Sequence, residues 1–471
     1  MALLSVPLLF RCSKVLKIGI RVIVKPPFPP RLADGVELLG EFKDSGYTNP
    51  PSLVRRGDGQ VIQLSRLLYL VARQMDGARG PDGIATQVSN DLGRSLSPGQ
   101  VCYLIVAKLA PLGIVAGQRG DAPPPTASPL LSLRARGTLL PAPAANAVGS
   151  FLRPLFHWPV IAAVIAAVTG TDIWVFSVHG LSGALGQILG DPADLLLVAL
   201  ATVVSAAFHE CGHATACRYG GARPGRIGFG IYLVWPSFFT DVTDSYRLGR
   251  AGRLRTDLGG IYFNLIFILV LAGMYAATSA QLLLLVIAIT HLEMLEQLMP
   301  LVRFDGYFIL SDLVGVPDLF ARVVPVLRGR LSRQQDRHTG LQRQAQLVAT
   351  CWVLCVVPLL LVTLTYLLLH LPAANRALWV SASHSAGQMF NALTNGQYAV
   401  AGVSAIGAGL ALLSVAGSLI IATGLVRRAA AAGRSWSAGR PGRRLVAVAA
   451  GAGLLAGLLA YWIAQGQLRG W

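Results

Sequence analysis

Charge is scarce in this chain of 471 residues: 13% are Asp, Glu, Lys or Arg, against 54% hydrophobic. That ratio excludes an ordinary soluble globular protein as a reading of the whole chain. Cysteine is sparse as well, and Cys12, Cys102, Cys211, Cys217, Cys351 and Cys355 form no CxxC pair. A zinc ribbon and a disulfide framework are therefore not expected, and these cysteines read as small apolar residues. The opening MALLSVPLLF is apolar but lacks a basic n-region, so a cleaved secretory signal is not expected. Glutamate is rarest among the acids: there are five, and three of them are Glu210, Glu293 and Glu296.

Long apolar runs are plentiful. Segments of roughly 20 residues, enough to cross a bilayer, lie near Pro159–Ser177, Leu195–Cys217, Leu258–Thr278, Leu282–Val302, Val348–Leu371, Val400–Val426 and Leu445–Gln465. The expected fold class is a polytopic α-helical membrane protein of about seven spans. A net charge of +18 suggests nucleic acid until the arginines are located. They fill the connections after the second, fourth and sixth spans: Arg218 to Arg255, Arg322 to Arg343, and Arg427 to Arg444. The alternate connections, Val178–Asp194, Ser279–Gln281 and His370–Ala399, hold only Arg376 as a basic residue. The positive-inside rule then predicts a cytoplasmic N-terminus and an outside C-terminus, in contact with membrane lipid throughout.

Ahead of the first span, KPPFPP on one side and APPPTASP with LLPAPAA on the other read as linkers. Between them Val61 and Ile62 follow a GDG turn as a strand end, and Leu64, Leu67, Leu68 and Val71 recur at helical spacing. Ile84, Val88 and Leu92 mark a second helix. Ser97 and Pro98 start a third, which runs through Val101, Ile105 and Leu109 to Gly113. Strands followed by three short helices predict a small winged-helix-like α+β cytoplasmic domain. Its last helix, Ser97–Leu112, has Lys108 as its one basic residue, which disfavours DNA.

The sharpest motif is His209-Glu210-Cys211-Gly212-His213 in the second apolar run. Positions i and i+4 share a helix face, so two imidazoles can reach one ion while the glutamate lies beside it as general acid and base. Ionisable groups inside a span are costly unless they pair or bind something. Zinc is the cofactor this pattern implies, and it takes a third protein ligand. His291, Glu293 and Glu296 in the fourth run, and Asp305 at its inward end, are the candidates. The two glutamates could instead orient the zinc histidines from behind or pair with Arg303.

FHECGHATACRYGG resembles the active-site helix of site-2 protease-type membrane zinc metalloproteases, and LMPLVRFDGYFILSDLVGVPDL resembles their second motif. Between them, WPSFFTDVTDSYRLGRAGRLRTDLGGIYFNLIF is similar to the peptide zinc metalloprotease branch. The likeness runs from about Ala201 to Leu319. It implies His209 and His213 as zinc ligands, Glu210 as the catalytic acid/base and Asp305 as the third ligand. Depth agrees, since Glu293 would lie about 18 Å from Asp305 along a continuous helix. The chain departs from the family with Gln297 and Met299 ahead of Pro300, and with Gly259-Gly260 ahead of Asn264. These positions concern substrate more than metal, and Asn264 is a candidate polar contact. Residues Ser52 to Gly117, with VRRGDGQVIQLSRLLYLVARQMDG and LAPLGIVAG, resemble PqqD-like peptide-recognition domains of ribosomal peptide modification systems.

The organisation expected is an N-terminal segment (1–51), the winged-helix domain (52–117), a Pro/Ala-rich linker (118–150), a catalytic membrane core (151–346) and further spans (347–471). The function expected is hydrolysis of a peptide or membrane-associated substrate in maturation or export of a ribosomally made peptide, a precursor peptide being held by the N-terminal domain. The competing readings are a noncatalytic membrane scaffold or transport partner that retains the zinc fold, against which Glu210 argues, and a membrane-tethered DNA-binding regulator. The Phe229–Asp244 stretch, broken by Pro236, is expected to be a re-entrant or membrane-edge loop beside the site, with Asp241 and Asp244 bracing it.

Overall fold

A computed structural model describes residues 29–117, 134–179, 192–232, 235–332 and 340–468. Residues 1–28, the Pro-rich stretch 118–133, and residues 180–191, 233–234, 333–339 and 469–471 lie outside the described residues.

The N-terminal unit starts earlier than Ser52. Strand β1 (Glu37–Glu41) pairs antiparallel with β2 (Ser52–Arg55), which pairs with β3 (Val61–Leu64). A bulge at Leu38/Gly40 blurs the alternation that would have marked β1 in the sequence. Leu64 belongs to β3, opposite Ser52, and not to the helix that follows. That helix, α1 (Arg66–Arg73), begins two residues later because the Ser65 side chain caps it. Helix α2 (Pro81–Leu92) stops at Gly93 in the left-handed region, and α3 (Pro98–Tyr103) opens on a Ser97–Gln100 capping box. Its apolar face continues in wider and then tighter turns to Leu112. Val54, Ile62, Leu70, Val71, Ile84, Val88, Val101, Ile105 and Leu109 close a separate core.

Two elements occupy the end of the stretch read as linker. They are β4 (Arg134–Leu140) and α4 (Ala142–Phe151), with Gly149 of α4 lying against the backbone of Ala214. Among the described residues, seven helices are long and apolar enough to cross a membrane. The first is α5 (Trp158–Ile173), continued to Ser177; the second is α6 (Pro192–Tyr219). After α6 come β5 (Ile227–Tyr232) and β6 (Trp235–Thr240), a hairpin in the sheet order β4-β5-β6. This hairpin is the form taken by the Phe229–Asp244 stretch, and Pro236 is tolerated because β6 is an edge strand. Short α7 (Arg250–Asp257) leads into the third and fourth long helices, α8 (Gly259–Thr278) and α9 (Gln281–Leu298). Beyond them lie α10 (Asp305–Val314) and α11 (Val323–Ser332).

The C-terminal region is more helical than its hydropathy suggests. Long helices α12 (Arg343–Leu369), α14 (Tyr398–Ser437) and α15 (Pro441–Ala464) match the last three apolar runs. Between the first two, most of the polar His370–Ala399 connection is α13 (Leu371–Thr394), tied to α14 where Ser418 Oγ donates to Asn375 Oδ1 at 2.7 Å. Arg427, Arg428 and Arg434 continue α14 instead of forming a connection, since alanine and arginine propagate a helix well.

The β1–β2 loop joins the N-terminal unit to the rest. Gly46 N donates to Gly315 O at 2.9 Å, Thr48 N to Gly340 O at 2.9 Å, and Gln342 N to Gly46 O at 2.8 Å. Asp44 Oδ2 accepts from Arg250 N at 2.8 Å, in the first turn of α7. Phe42, Leu53 and Val61 of the N-terminal unit share a buried cluster with Tyr246, just before α7.

Candidate metal centre

Helix α6 carries His209 and His213 one turn apart, and both are buried. Their shared face is turned toward α8 by a close crossing of glycines. A Cβ on Gly212 would stand 2.2 Å from Gly259 O, and one on Gly259 would stand 2.6 Å from Gly212 O. The next residue, Gly260, leaves room for an imidazole: a Cβ there would lie 2.3 Å from His209 Nε2. Gly259-Gly260 therefore serves the packing of the histidines, which its departure from the family pattern did not suggest.

Asp305 arrives from the other side, in the first turn of α10. It does not cap that helix, whose N-cap is Phe304 without a side-chain hydrogen bond. Gly306 has no left-handed backbone; it is needed because a Cβ would lie 2.0 Å from Leu298 O, at the end of α9. This close approach, and not a glycine turn, brings Asp305 to the histidines. Its Oδ2 lies 3.1 Å from His209 Nε2 and 3.3 Å from His213 Nε2, and the two Nε2 atoms are 3.1 Å apart.

Zinc bonds of about 2.0–2.1 Å in tetrahedral geometry put donor atoms about 3.3 Å from one another. The three atoms are spaced as three donors to one such ion would be. Electrostatics point the same way. His213 Nδ1 donates to Thr256 O at 2.8 Å, which turns its Nε2 toward Asp305. Asp305 Oδ2 is buried without a hydrogen-bond partner among the described residues. Burial alone would raise the Asp305 carboxyl, but the charge of the imidazoles beside it outweighs burial and holds this group below the usual carboxylate range. An ionised oxygen and two imidazole nitrogens converging on one point fit a divalent cation such as zinc.

Glu210 lies beside this face, outside the donor set. The Thr240 hydroxyl, at the end of β6, donates to Glu210 Oε2 at 2.7 Å and stands 2.9 Å from the Glu210 carbonyl oxygen. Strand β6 therefore orients the carboxylate. Asp241 accepts from Thr243 N, and Asp244 accepts from Arg223 N and Arg247 Nε, so both brace the segment after the hairpin.

The remaining candidates are not among the three donors. His291 donates from Nδ1 to Ile287 O and turns Nε2 to Asp172 Oδ1 at 3.2 Å. Glu293 is half-buried and Glu296 exposed, and among the described residues neither hydrogen-bonds an imidazole of the pair. Arg303 pairs with Asp318 at 3.4 Å, not with either glutamate. Asn264 is buried on α8 one turn beyond Gly260, and its Oδ1 has no protein partner among the described residues. Thr240 and Thr256 were not singled out in the sequence, although both lie inside the stretch resembling the peptide zinc metalloprotease branch.

No protein-family model matches the chain, and no solved structure matches it. It is 25% identical over 125 residues to a Bacillus subtilis (strain 168) protein named "Putative peptide zinc metalloprotease protein YydH". The match covers 26% of this chain and 50% of that protein, so the chain spans about half the length of its curated relative. The chain is thus distantly similar to a protein named as a zinc metalloprotease.

Proposed function

We propose that this protein is a membrane zinc metalloprotease of the site-2 protease type, and that it hydrolyses a peptide or membrane-associated substrate. The observation that carries this reading is the three-donor face made by His209, His213 and Asp305 with Glu210 beside it. A zinc ion held by these residues would supply an activated water and polarise the scissile carbonyl. Glu210, aimed by Thr240, takes the proton from the attacking water and passes it to the leaving amine. The free edge of β6 ends at Thr240, so a substrate strand added there would run toward Glu210. Asn264, whose Oδ1 has no protein partner among the described residues, would meet a polar group of the substrate backbone.

The N-terminal unit, in this reading, is a winged-helix-like, PqqD-like peptide-recognition domain that takes a precursor peptide by strand addition. Its order of three strands and three helices supports this, as does the single basic residue of its last helix. Its role would be to hold substrate for maturation or export of a ribosomally made peptide.

The purified protein is expected to contain about one zinc per chain, and its hydrolysis of fluorogenic peptides should cease on chelation and return on adding zinc. Full activity in protein shown by elemental analysis to be free of metal would exclude the reading.

Orientation follows from the arginines. With the N-terminus in the cytoplasm and the C-terminus outside, a membrane-impermeant maleimide should label a cysteine introduced at Asn395 from outside intact cells, and should reach one at Ser435 only after the membrane is opened. A cysteine-free background makes the comparison clean. Equal labelling from outside would refute the topology.

A further inference from the structure

Arg253 is the largest fully buried side chain among the described residues, and it sits behind the metal centre. A guanidinium keeps its charge at any working pH, so its complete burial is costly unless partners offset it; Nη2 has none among the described residues, and the other two nitrogens carry the bonds. Its Nε donates to Asp312 Oδ1 at 2.9 Å, and its Nη1 donates to Lys43 O at 3.1 Å and Leu248 O at 2.9 Å. The Phe42 ring covers it at 4.2 Å. Lys43 and Phe42 belong to the N-terminal unit, at the start of the β1–β2 loop.

Arg253 lies on α7 itself, so its bond to Asp312 ties that helix to α10. Helix α7 has eight residues, too few to hold its own position. It is pinned at its first residue by Asp44 of the loop and at Arg253 by Asp312 and Lys43 O. Three residues after Arg253 comes the Thr256 carbonyl that accepts His213 Nδ1–H.

We propose that the β1–β2 loop is a positioning element of the metal centre, acting through Arg253 and Asp312 on the Thr256 carbonyl that orients His213. The inference rests on the metalloprotease reading and goes beyond it: the N-terminal unit supplies part of the support that aims a metal ligand. Its displacement loosens the site without touching any ligand.

The test uses the full chain in detergent, with zinc affinity measured by chelator competition and ligand geometry by visible absorption of the cobalt(II)-loaded protein. Arg253→Lys keeps the charge but loses the fork that spans Asp312 and the loop carbonyl. Gly46→Ala wedges the loop out of its dock, since its Cβ would lie 2.2 Å from Val314 O. Both variants should lose roughly tenfold to a hundredfold in zinc affinity and alter the cobalt spectrum. Arg73→Ala, which breaks only the Arg73–Asp91 pair in the N-terminal unit, should change neither. Phe42→Leu, the mildest variant, should move both readouts a few-fold in the same direction and covers the case in which the others fail to fold. Wild-type affinity and spectrum in folded Phe42→Leu, Arg253→Lys or Gly46→Ala protein would overturn the proposal while leaving the metalloprotease reading intact. Wild-type protein that binds neither metal would overturn both.

Discussion

Glu210→Gln protein is expected to retain about one zinc per chain and to hydrolyse peptide roughly 10²- to 10⁴-fold more slowly than wild type. The retained metal follows from geometry. The donors are His209 Nε2, His213 Nε2 and Asp305 Oδ2, and Glu210 contributes none of them. An amide fills the carboxylate's space, and its oxygen can still accept the Thr240 hydroxyl at the 2.7 Å position. The lost rate follows from chemistry, because an amide oxygen cannot take the proton of the attacking water. A library of internally quenched peptides gives the rate, and elemental analysis gives the zinc. Hydrolysis at the wild-type rate would place the general base elsewhere.

The same reasoning makes Thr240 a graded companion to Glu210. Its hydroxyl is the one group holding Oε2 among the described residues, and β6 carries it on a strand that is paired on one side only. Thr240→Val keeps the β-branched shape and removes the donor. It should lower the rate by less than Glu210→Gln and leave the zinc in place.

Local signals made much of this molecule legible in the sequence. The seven long helices lie near the seven apolar runs, because bilayer thickness imposes a length that composition reveals directly. The i, i+4 histidines fall on one face for the same reason any helical pair does. The cap at Ser97 and the stop at Gly113 stand at helix ends as read. Non-local features were hidden. Nothing in Thr256 itself announces that its carbonyl will meet His213, 43 positions earlier. Arg253 looked like one more cytoplasmic arginine until the β1–β2 loop closed over it, and α13 is a polar helix that a hydropathy reading passes over. His291 was grouped with the metal candidates because it shares the fourth run, but its own partner is Asp172 on α5.

Glycine carries the other large expectation. His209→Ala removes one of three ligands and should reduce bound zinc from about one per chain to a small fraction. Gly260→Ala should reach nearly the same end without altering any ligand. Its Cβ would lie 2.3 Å from His209 Nε2 and 2.4 Å from Cε1, a distance no side chain accepts. The imidazole must swing away, or α8 must withdraw from α6. Withdrawal would also open the Gly212–Gly259 crossing, where backbone carbonyls already stand where a Cβ would be. Because the metal face has edges of 3.1 to 3.3 Å, either response takes one donor out of reach. Gly273 lies on the same helix with nothing within 4 Å of its hypothetical Cβ, so Gly273→Ala controls for the added methyl. Elemental analysis of the three variants, each checked for helical content by circular dichroism, decides the matter. Full zinc in folded Gly260→Ala protein would mean that the His209 ring does not face α8, and the donor face would have to be rebuilt without it.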